Sequence, residues 1–233
     1  MCGRYTNSKK VEEVVKRFMV DSVRGLHQVR YNIAPLQPIT IVFQESAKRI
    51  LETVSWGLVP SWADNPSRAG TCINARSETL SEKPVFRGGF RSKRCLIPAT
   101  GFYEWRKEGK SKQPYYFQLK SGEPFAMAGI WEDWHSPEGS QIVSAAVVTV
   151  WANRLVNQVH HRMPAILGFF DEDKWLDHSA FKPEALQSLL KPYAAEEMES
   201  FPVSTKVNSA ANEGEELIRK IVPLPTFEQG SLF

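Results

Sequence analysis

The chain has 233 residues, of which 42% are hydrophobic and 11% aromatic, and it carries a formal net charge of +3. This composition is typical of a folded globular protein with a sizeable core, and we expect one domain because no Pro/Gly/Ser-rich linker interrupts it. No apolar run approaches the roughly 20 residues that cross a bilayer, and the N-terminus lacks the apolar region of a signal peptide, so a cytoplasmic protein is predicted.

The predicted elements begin with a short amphipathic helix. Asn7 or Ser8 can cap it, and apolar side chains recur at helical spacing over residues 11–19. Five β-like runs follow, at residues 39–43, 50–56, 115–119, 125–130 and 142–150. Helical signals return after Asp171 and again from Pro183 onward. This order predicts an α+β fold in which helices pack on a mainly antiparallel sheet.

The polar segments between these runs combine an aromatic residue or a proline with a polar or charged side chain. Five of them stand out and are predicted to be loops: 31–35 (YNIAP), 56–62 (WGLVPSW), 74–78 (NARSE), 101–105 (GFYEW) and 160–164 (HHRMP). Because binding and catalytic residues concentrate in loops, these segments are the first place to look for a functional site.

Charge is distributed unevenly along the chain. Between residues 83 and 112, nine Lys or Arg residues occur with only two acids, Glu104 and Glu108. Residues 171–199 show the reverse, with eight acids and three lysines. The pattern predicts a basic face suited to phosphate, and a merely solvated basic loop is the alternative.

The three cysteines, Cys2, Cys72 and Cys95, are a sparse and odd set without a CxxC pair. Such a set argues against a disulfide framework and against a structural zinc site, so we expect Cys72 and Cys95 to be small buried residues. The adjacent His160 and His161 cannot readily ligate one metal ion together. No metal or other cofactor is therefore predicted.

Cys2 is a candidate reactive residue because it occupies the second position of the chain. Methionine aminopeptidase removes Met1 before a small residue, so we expect the mature chain to begin with Cys2. Its thiol and α-amine then lie on adjacent carbons, with ordinary pKa values of about 8.5 and about 7.7 to 8.0. Arg4 is near enough in sequence to increase the thiolate share. A 1,2-aminothiol condenses with an aldehyde to an imine, which the sulfur closes into a thiazolidine ring.

Two other interpretations of Cys2 are open. The cysteine is incidental in the first, as most cysteines at a second position are. In the second, the chain is a cysteine peptidase or an N-terminal nucleophile hydrolase, whose thiolate attacks an amide while the α-amine acts as base. Against the hydrolase, the chain continues with Arg4-Tyr5 and lacks an Arg-Gly-Pro-Asp-like substrate loop.

Glu104 and His160 are candidate proton-transfer groups. Glu104 lies between aromatic residues in the segment 101–105, and burial among rings raises a carboxyl pKa toward neutrality. His160 offers an imidazole for proton transfer, and Arg162 offers a guanidinium for phosphate. For Glu104 the alternative is a structural ion pair with a nearby arginine.

Two further pairs are candidate contacts to a nucleic acid. Asn74 and Arg76 alternate on an extended segment, so their side chains share one face, where the amide can orient a sugar and the arginine can hold a phosphate. Trp56 and Trp62 flank a loop and offer a platform for stacking bases, although tryptophan is more often part of the core.

Taken together, the five loops and the N-terminal segment 2–5 (CGRY) resemble the SOS response-associated peptidase (SRAP) family. The resemblance runs from Cys2 to the segment 203–208 (VSTKVN) and so covers almost the whole chain. Each motif is weak alone, but their joint occurrence in this order is specific.

The resemblance implies a single compact domain, residues 2–233 after loss of Met1, with a barrel-like, mainly antiparallel β centre and peripheral helices. It also implies a positively charged channel for single-stranded DNA and a covalent link between an abasic deoxyribose and the N-terminal cysteine. The site residues it implies are Cys2, Asn74, Glu104 and His160 for catalysis, and Arg4, Trp56, Trp62, Arg76 and Arg162 for DNA.

The implied activity shields the lesion, with crosslink reversal, β-elimination (lyase) and autopeptidase activity as possible additions. Because only Met1 precedes Cys2, ordinary methionine removal suffices and self-cleavage is not required. The expected partner is single-stranded DNA that contains abasic sites, with replication-fork proteins as further candidates, and the expected state is a monomer. A non-covalent single-strand binder remains an alternative.

Overall fold

The computed structural model describes residues 2–66, 72–109, 111–179 and 181–222. Its helices are α1 (Val11–Arg17), α2 (Pro84–Ser92), α3 (Phe169–Leu176) and α4 (Pro183–Leu189). Its strands are β1 (Tyr5–Asn7), β2 (Ser22–Val23), β3 (Arg30–Ile33), β4 (Pro38–Glu45), β5 (Lys48–Trp56), β6 (Asn74–Arg76), β7 (Arg94–Ala99), β8 (Gly101–Glu108), β9 (Ser111–Leu119), β10 (Phe125–His135), β11 (Gln141–Trp151), β12 (Arg162–Pro164), β13 (Ile166–Leu167) and β14 (Met198–Pro202).

A closed five-strand barrel forms the centre of the fold. Its strands follow the order β11-β10-β7-β4-β5, and β5 pairs back with β11 to complete the ring. The closing pair is parallel, whereas the other four junctions are antiparallel. Closure pairs the strand edges that an open sheet would leave exposed. The predicted α+β class and the barrel-like, mainly antiparallel centre are confirmed.

Where two strands of the barrel come close together, only a small residue fits between them. Gly129 of β10 lies opposite Cys95 of β7, and a Cβ at position 129 would come within 2.8 Å of the Cys95 sulfur. Cys95 is fully buried, as the sequence predicts, whereas Cys72 is only half-buried.

A second, antiparallel sheet holds the N-terminus. Its order is β14-β9-β8-β1-β3, so the first strand of the chain lies in the middle of the sheet. Tyr5 pairs with Ile33 on one side and with Phe102 on the other. Its ring packs edge-on against Trp56 at 5.3 Å, which joins this sheet to the barrel. The residues just before β1 are therefore fixed close to β8.

The strand predictions are confirmed for all five β-like runs, which fall within β4, β5, β9, β10 and β11. Two local predictions are wrong. The cap of α1 is Lys10 rather than Asn7 or Ser8, because Asn7 pairs with Arg30 in the second sheet. The loop prediction fails for all of segment 101–105, which is the start of β8, and for the parts of 31–35, 74–78 and 160–164 that lie in β3, β6 and β12.

Not every basic residue of the segment 83–112 lies at the surface. Arg94 is buried and donates to the carbonyl oxygens of Phe90, Arg91, Trp175 and Asp177, so it fastens α2 and α3 to β7. Burial lowers its pKa to about 10. In the described part of the chain, no helix has both the length and the apolar content that crossing a membrane requires.

Candidate functional site

Cys2 lies three residues before the start of β1 and is fully buried. Burial raises the pKa of its thiol far above the ordinary value, and the carboxylate of Glu104 raises it further. Arg4 lowers the thiol pKa through its backbone N–H, as a hydrogen bond to the sulfur, and not through its guanidinium, which is hydrogen-bonded to Asn32 and Val207; burial outweighs this contribution. The sulfur is therefore a neutral thiol that needs a base before it can act as a nucleophile.

Asn74 contacts the same residue from the barrel. It begins β6, which pairs in parallel with β11, and its Nδ2 donates to the backbone carbonyl oxygen of Cys2 at 2.8 Å. Its Oδ1 is buried without a hydrogen-bond partner among the described residues. The amide thus fixes Cys2 through its main chain and leaves the thiol available for chemistry.

Glu104 lies in β8 with 4% of its surface exposed. Burial raises the pKa of its carboxyl to about 7, as its position among aromatic residues predicts. A carboxyl with a pKa near neutrality is populated in both protonation states at pH 7. Glu104 can therefore both donate and accept a proton beside the Cys2 thiol.

His160 precedes β12 and is half-buried. Its Nδ1 lies 3.0 Å from the backbone nitrogen and 3.3 Å from the carbonyl oxygen of Arg162. Because a backbone N–H can only donate, the shorter contact makes Nδ1 an acceptor and leaves the proton of the neutral ring on Nε2. Burial lowers the pKa of His160, so the neutral ring predominates at pH 7.

Glu104 and His160 line one cavity of about 470 Å³. Its walls are formed by residues from separate parts of the chain: Arg4, Glu104, Trp105, Lys112, His160 and Asn208. The sequence motifs assigned no role to Lys112 or Asn208, although Lys112 belongs to the basic segment 83–112. Another cavity, of about 410 Å³, lies beside α1 and contains none of the predicted site residues.

One wall of this cavity is held by a buried asparagine. Asn32 accepts from Arg4 Nη1 at 2.8 Å and donates from Nδ2 to the carbonyl oxygens of Ser209 and Asn212. Arg4 also donates to the Val207 carbonyl oxygen at 2.7 Å. Asn32 therefore ties the segment 205–212 to β3, and this segment carries the cavity residue Asn208.

The predicted DNA contacts divide into exposed and buried residues. Trp62 is 64% exposed and Arg76 is also exposed, so both are open to a ligand. Trp56 is fully buried and donates from Nε1 to the Ile73 carbonyl oxygen at 2.9 Å. The prediction that Trp56 stacks on bases is wrong, because neither face of its ring is accessible.

Arg162 is also buried, with 3% of its side chain exposed. Its two terminal nitrogens donate to the Glu78 carboxylate at 2.6 and 3.0 Å, and one of them donates to the Thr149 carbonyl oxygen at 2.6 Å. The expected phosphate contact is therefore not supported. Both terminal nitrogens of Arg162 already have partners within the protein, which indicates a structural role.

The described residues contain no group of three or more His, Cys, Asp or Glu side chains placed to hold a metal ion. Two residues that line the cavity can move protons, the Glu104 carboxyl and the His160 imidazole, and the buried thiol of Cys2 lies next to this pair in the structure without lining the cavity.

Comparison with known proteins gives consistent matches. The model of the SOS response associated peptidase (SRAP) family matches residues 1–210. The abasic site processing protein YoqW of Bacillus subtilis is 42% identical over 221 residues, covering 94% of this chain and 99% of that protein. The abasic site processing protein HMCES of Gallus gallus is 37% identical over 198 residues, covering 75% of this chain and 58% of that protein. A crystal structure of a protein from Bacteroides thetaiotaomicron has a TM-score of 0.86 at 30% identity, covering 95% of this chain and 100% of that one.

Proposed function

Because the chain belongs to the SOS response associated peptidase (SRAP) family, we propose that it processes abasic sites in single-stranded DNA by forming a covalent bond between Cys2 and the ring-opened deoxyribose. The observation that carries the proposal is the environment of Cys2. Its main chain is held by Asn74, and its thiol is electrostatically coupled to Glu104 beside a cavity that His160 lines. The proposal requires removal of Met1, which frees the Cys2 α-amine.

The first steps open the sugar and join it to the amine. An abasic deoxyribose is mostly a closed hemiacetal. Its ring opens as the C1′ hydroxyl proton passes through water to the ring oxygen and the bond between C1′ and that oxygen breaks, while the Nε2–H of His160 donates a hydrogen bond to the ring oxygen. The unprotonated amine of Cys2 then attacks C1′ to give a carbinolamine. Glu104 in its protonated form donates a proton to the departing hydroxyl, which leaves as water and produces a protonated imine.

The last step closes the ring. Glu104, now ionised, accepts the thiol proton and returns to its protonated form, and the sulfur adds to C1′ of the protonated imine, whose nitrogen keeps its proton in the ring. The product is a thiazolidine, and the overall change is addition of the DNA with loss of one water. A base is needed here because burial keeps the Cys2 thiol neutral.

The same groups support two slower reactions. Protonation of the thiazolidine by Glu104 reverses the last step and reopens the ring. The imine intermediate acidifies the C2′ protons, so loss of one of them leads to β-elimination and strand cleavage. Capture by the thiol competes with that elimination, which makes the crosslink protective.

The DNA strand is held by contacts around the cavity. Arg76 and Lys112 are exposed cations suited to phosphates, and Trp62 presents an exposed ring on which a base can stack. These contacts carry no base information beyond stacking strength. We therefore expect binding to depend weakly on sequence.

The test is incubation with single-stranded DNA that contains one abasic site, followed by denaturing electrophoresis. The proposed chemistry gives a covalent band, whereas a non-covalent binder or a thiol peptidase gives none. Cys2→Ala should abolish the stable band. Cys95→Ala is the matched control, because Cys95 is buried to the same extent but has no adjacent amine, and Cys72→Ala is a second control. A stable band of unchanged intensity from Cys2→Ala would refute the thiazolidine.

A further inference from the structure

An exposed aromatic side chain lies near the cavity, outside the motifs that the sequence singles out. Trp151 is the last residue of β11, and 61% of its surface is exposed. Tryptophan presents a large apolar ring, and burying such a ring against a ligand makes a large contribution to binding. The position of Trp151 relative to the cavity indicates what kind of ligand would contact its ring.

A row of three rings leads from Trp151 to the cavity. The Trp151 ring lies 6.1 Å from that of His161, at an angle of 49°. The His161 ring stacks on that of His160 at 4.4 Å and 26°. His160 lines the cavity in which the abasic sugar is proposed to react. The surface of Trp151 is therefore two ring contacts away from the reacting sugar.

The Trp151 ring is held in place before any ligand arrives. Trp151 pairs with Arg162 in the β11–β12 ladder, and the Arg162 guanidinium lies 5.0 Å from the centre of the indole ring. That guanidinium is itself fixed by Glu78 and Thr149. One side of the ring is thus backed by a fixed cation, and a ring that is already ordered loses little conformational entropy on binding.

A cation suited to phosphate lies nearby. Arg76 of β6 pairs with Thr149, two residues before Trp151 on β11, and its side chain is exposed. An exposed ring and an exposed guanidinium on neighbouring strands offer stacking to a base and an ion pair to a phosphate, which are the two contacts that single-strand binding proteins combine.

We propose that Trp151 is a stacking subsite for the nucleobase that adjoins the abasic sugar on one side. The base lies against the exposed face of the indole, and Arg76 contacts the phosphate that follows. This inference rests on the proposed function, because it takes the abasic sugar to occupy the cavity beside His160. It adds a contact that keeps the lesion in register while the covalent bond forms.

The experiment uses three single strands with one abasic site each. The first has normal bases on both sides, and the second and third carry an unreactive tetrahydrofuran residue without a base on the 5′ or the 3′ side. The protein concentration that gives half the maximal adduct rate is measured for wild type, Trp151→Ala and Trp151→Phe. Phe170→Ala is the matched control, since Phe170 is an aromatic residue of α3 with 83% exposure outside the cavity lining.

On the first strand, Trp151→Ala should raise this concentration about 5- to 100-fold, the range for loss of one base–aromatic stack. Trp151→Phe should raise it less, and Phe170→Ala should leave it unchanged. The penalty of Trp151→Ala should disappear on one of the two strands that lack a flanking base, which also tells the polarity of the bound strand.

The outcomes separate the subsite from the proposed function. If wild type forms no adduct with any strand, the proposed function fails. If wild type reacts normally but Trp151→Ala has no penalty, only the subsite is overturned. An equal penalty on all three strands also overturns it, because Trp151 then acts through Arg162 rather than through a base. Thermal melting of each variant reports whether the fold is retained.

Discussion

Asn74 donates a hydrogen bond from Nδ2 to the backbone carbonyl oxygen of Cys2 at 2.8 Å, across 72 positions of sequence. This contact fastens the N-terminal residue to the wall of the barrel through its main chain. The amine and the thiol, which the proposed reaction needs, are not consumed by it. Asn74 is therefore a positioning group for Cys2, and its contribution should be visible in the rate of the covalent step.

Asn74→Ala should slow adduct formation at saturating DNA by about 2- to 10-fold, the equivalent of one hydrogen bond. The affinity for undamaged single strands should change little, because the contact is internal to the protein. Single-turnover kinetics and equilibrium binding measure the two quantities separately. Weakened binding together with a normal rate at saturation would show that Asn74 holds DNA instead of Cys2.

Glu104→Gln should slow both formation and reversal of the adduct, because a proton shuttle acts in each direction. The carboxyl pKa of about 7 predicts a wild-type rate that changes through neutrality, and the amide variant should lose this inflection. Rates measured from pH 5.5 to 8.5 at roughly half-unit intervals provide the comparison. A variant that keeps the same inflection would assign it to another group.

The same residue has a predicted effect on stability. The carboxyl pKa is raised by folding from an ordinary value of 4.5 to about 7, so the unfolded state gives up its proton first as the pH rises. The raised pKa therefore lowers the free energy of unfolding. This decrease is absent below pH 4.5, grows as the pH rises from 4.5 to 7, and reaches on the order of 3 kcal/mol above pH 7. Glu104→Gln should thus gain stability over wild type as the pH rises, which urea unfolding at several pH values tests.

Features set by local sequence could be predicted. The five β-like runs were visible because apolar and β-branched residues are concentrated in them, and the raised pKa of Glu104 followed from the aromatic residues beside it in the chain. The segment 101–105 was predicted to be a loop because it contains a glycine and a charged residue. It is a strand because β1 and β9 pair with it from both sides.

Features set by closure of the barrel could not be predicted. Trp56 ends β5, and its burial follows from the pairing of Trp56 with Ala145 of β11, which completes the ring. Arg162 finds its partner Glu78 at a distance of 84 positions. Ala145 and Glu78 are both far from their partners in sequence. The sequence alone was therefore equally consistent with an exposed Trp56 ring and with an Arg162 guanidinium that has no partner in the protein.

Arg162→Ala should therefore change the stability of the protein, whereas Arg76→Ala should change its binding to DNA. Loss of the buried Arg162 removes its hydrogen bonds to the exposed Glu78 carboxylate and to the Thr149 carbonyl oxygen, which should lower the free energy of unfolding by about 1 to 3 kcal/mol. Arg76→Ala should leave stability nearly unchanged but reduce the salt dependence of single-strand affinity by about 0.7 in the log–log slope. Chemical unfolding and binding at several salt concentrations measure the two effects. A stable Arg162→Ala protein with a reduced slope would restore Arg162 as a DNA contact.

Asn32→Asp tests how the segment 205–212 is held. The carboxylate keeps an acceptor for Arg4 but replaces the amide donor that serves the Ser209 and Asn212 carbonyl oxygens with a group that repels them. Faster amide hydrogen exchange in the segment 205–212 is expected, together with slower adduct formation, because Asn208 of the cavity wall lies in that segment. Unchanged exchange there would mean that Asn32 is not what fastens it.

The N-terminus itself provides the most discriminating prediction, because only the thiazolidine mechanism needs a thiol and a free amine on the same residue. A protein whose Cys2 α-amine is acetylated should keep its fold and its grip on single-stranded DNA, since Asn74 contacts the carbonyl oxygen and not the amine. It should nevertheless form no stable adduct. Its thiol can add to the aldehyde, but the resulting hemithioacetal reverts readily and cannot close a ring.

Cys2→Ala complements this blocked protein, because it keeps the amine and loses the thiol. It should form an imine that borohydride traps, while the acetylated protein should give no trapped product, so the two proteins isolate the two halves of the aminothiol. Mass spectrometry of the wild-type reaction should find the protein without Met1, joined to the DNA with loss of one water. A thiol peptidase would tolerate acetylation and a passive binder would be indifferent to it. The mechanism fails if the acetylated protein gives the same stable product in the same yield as the free one.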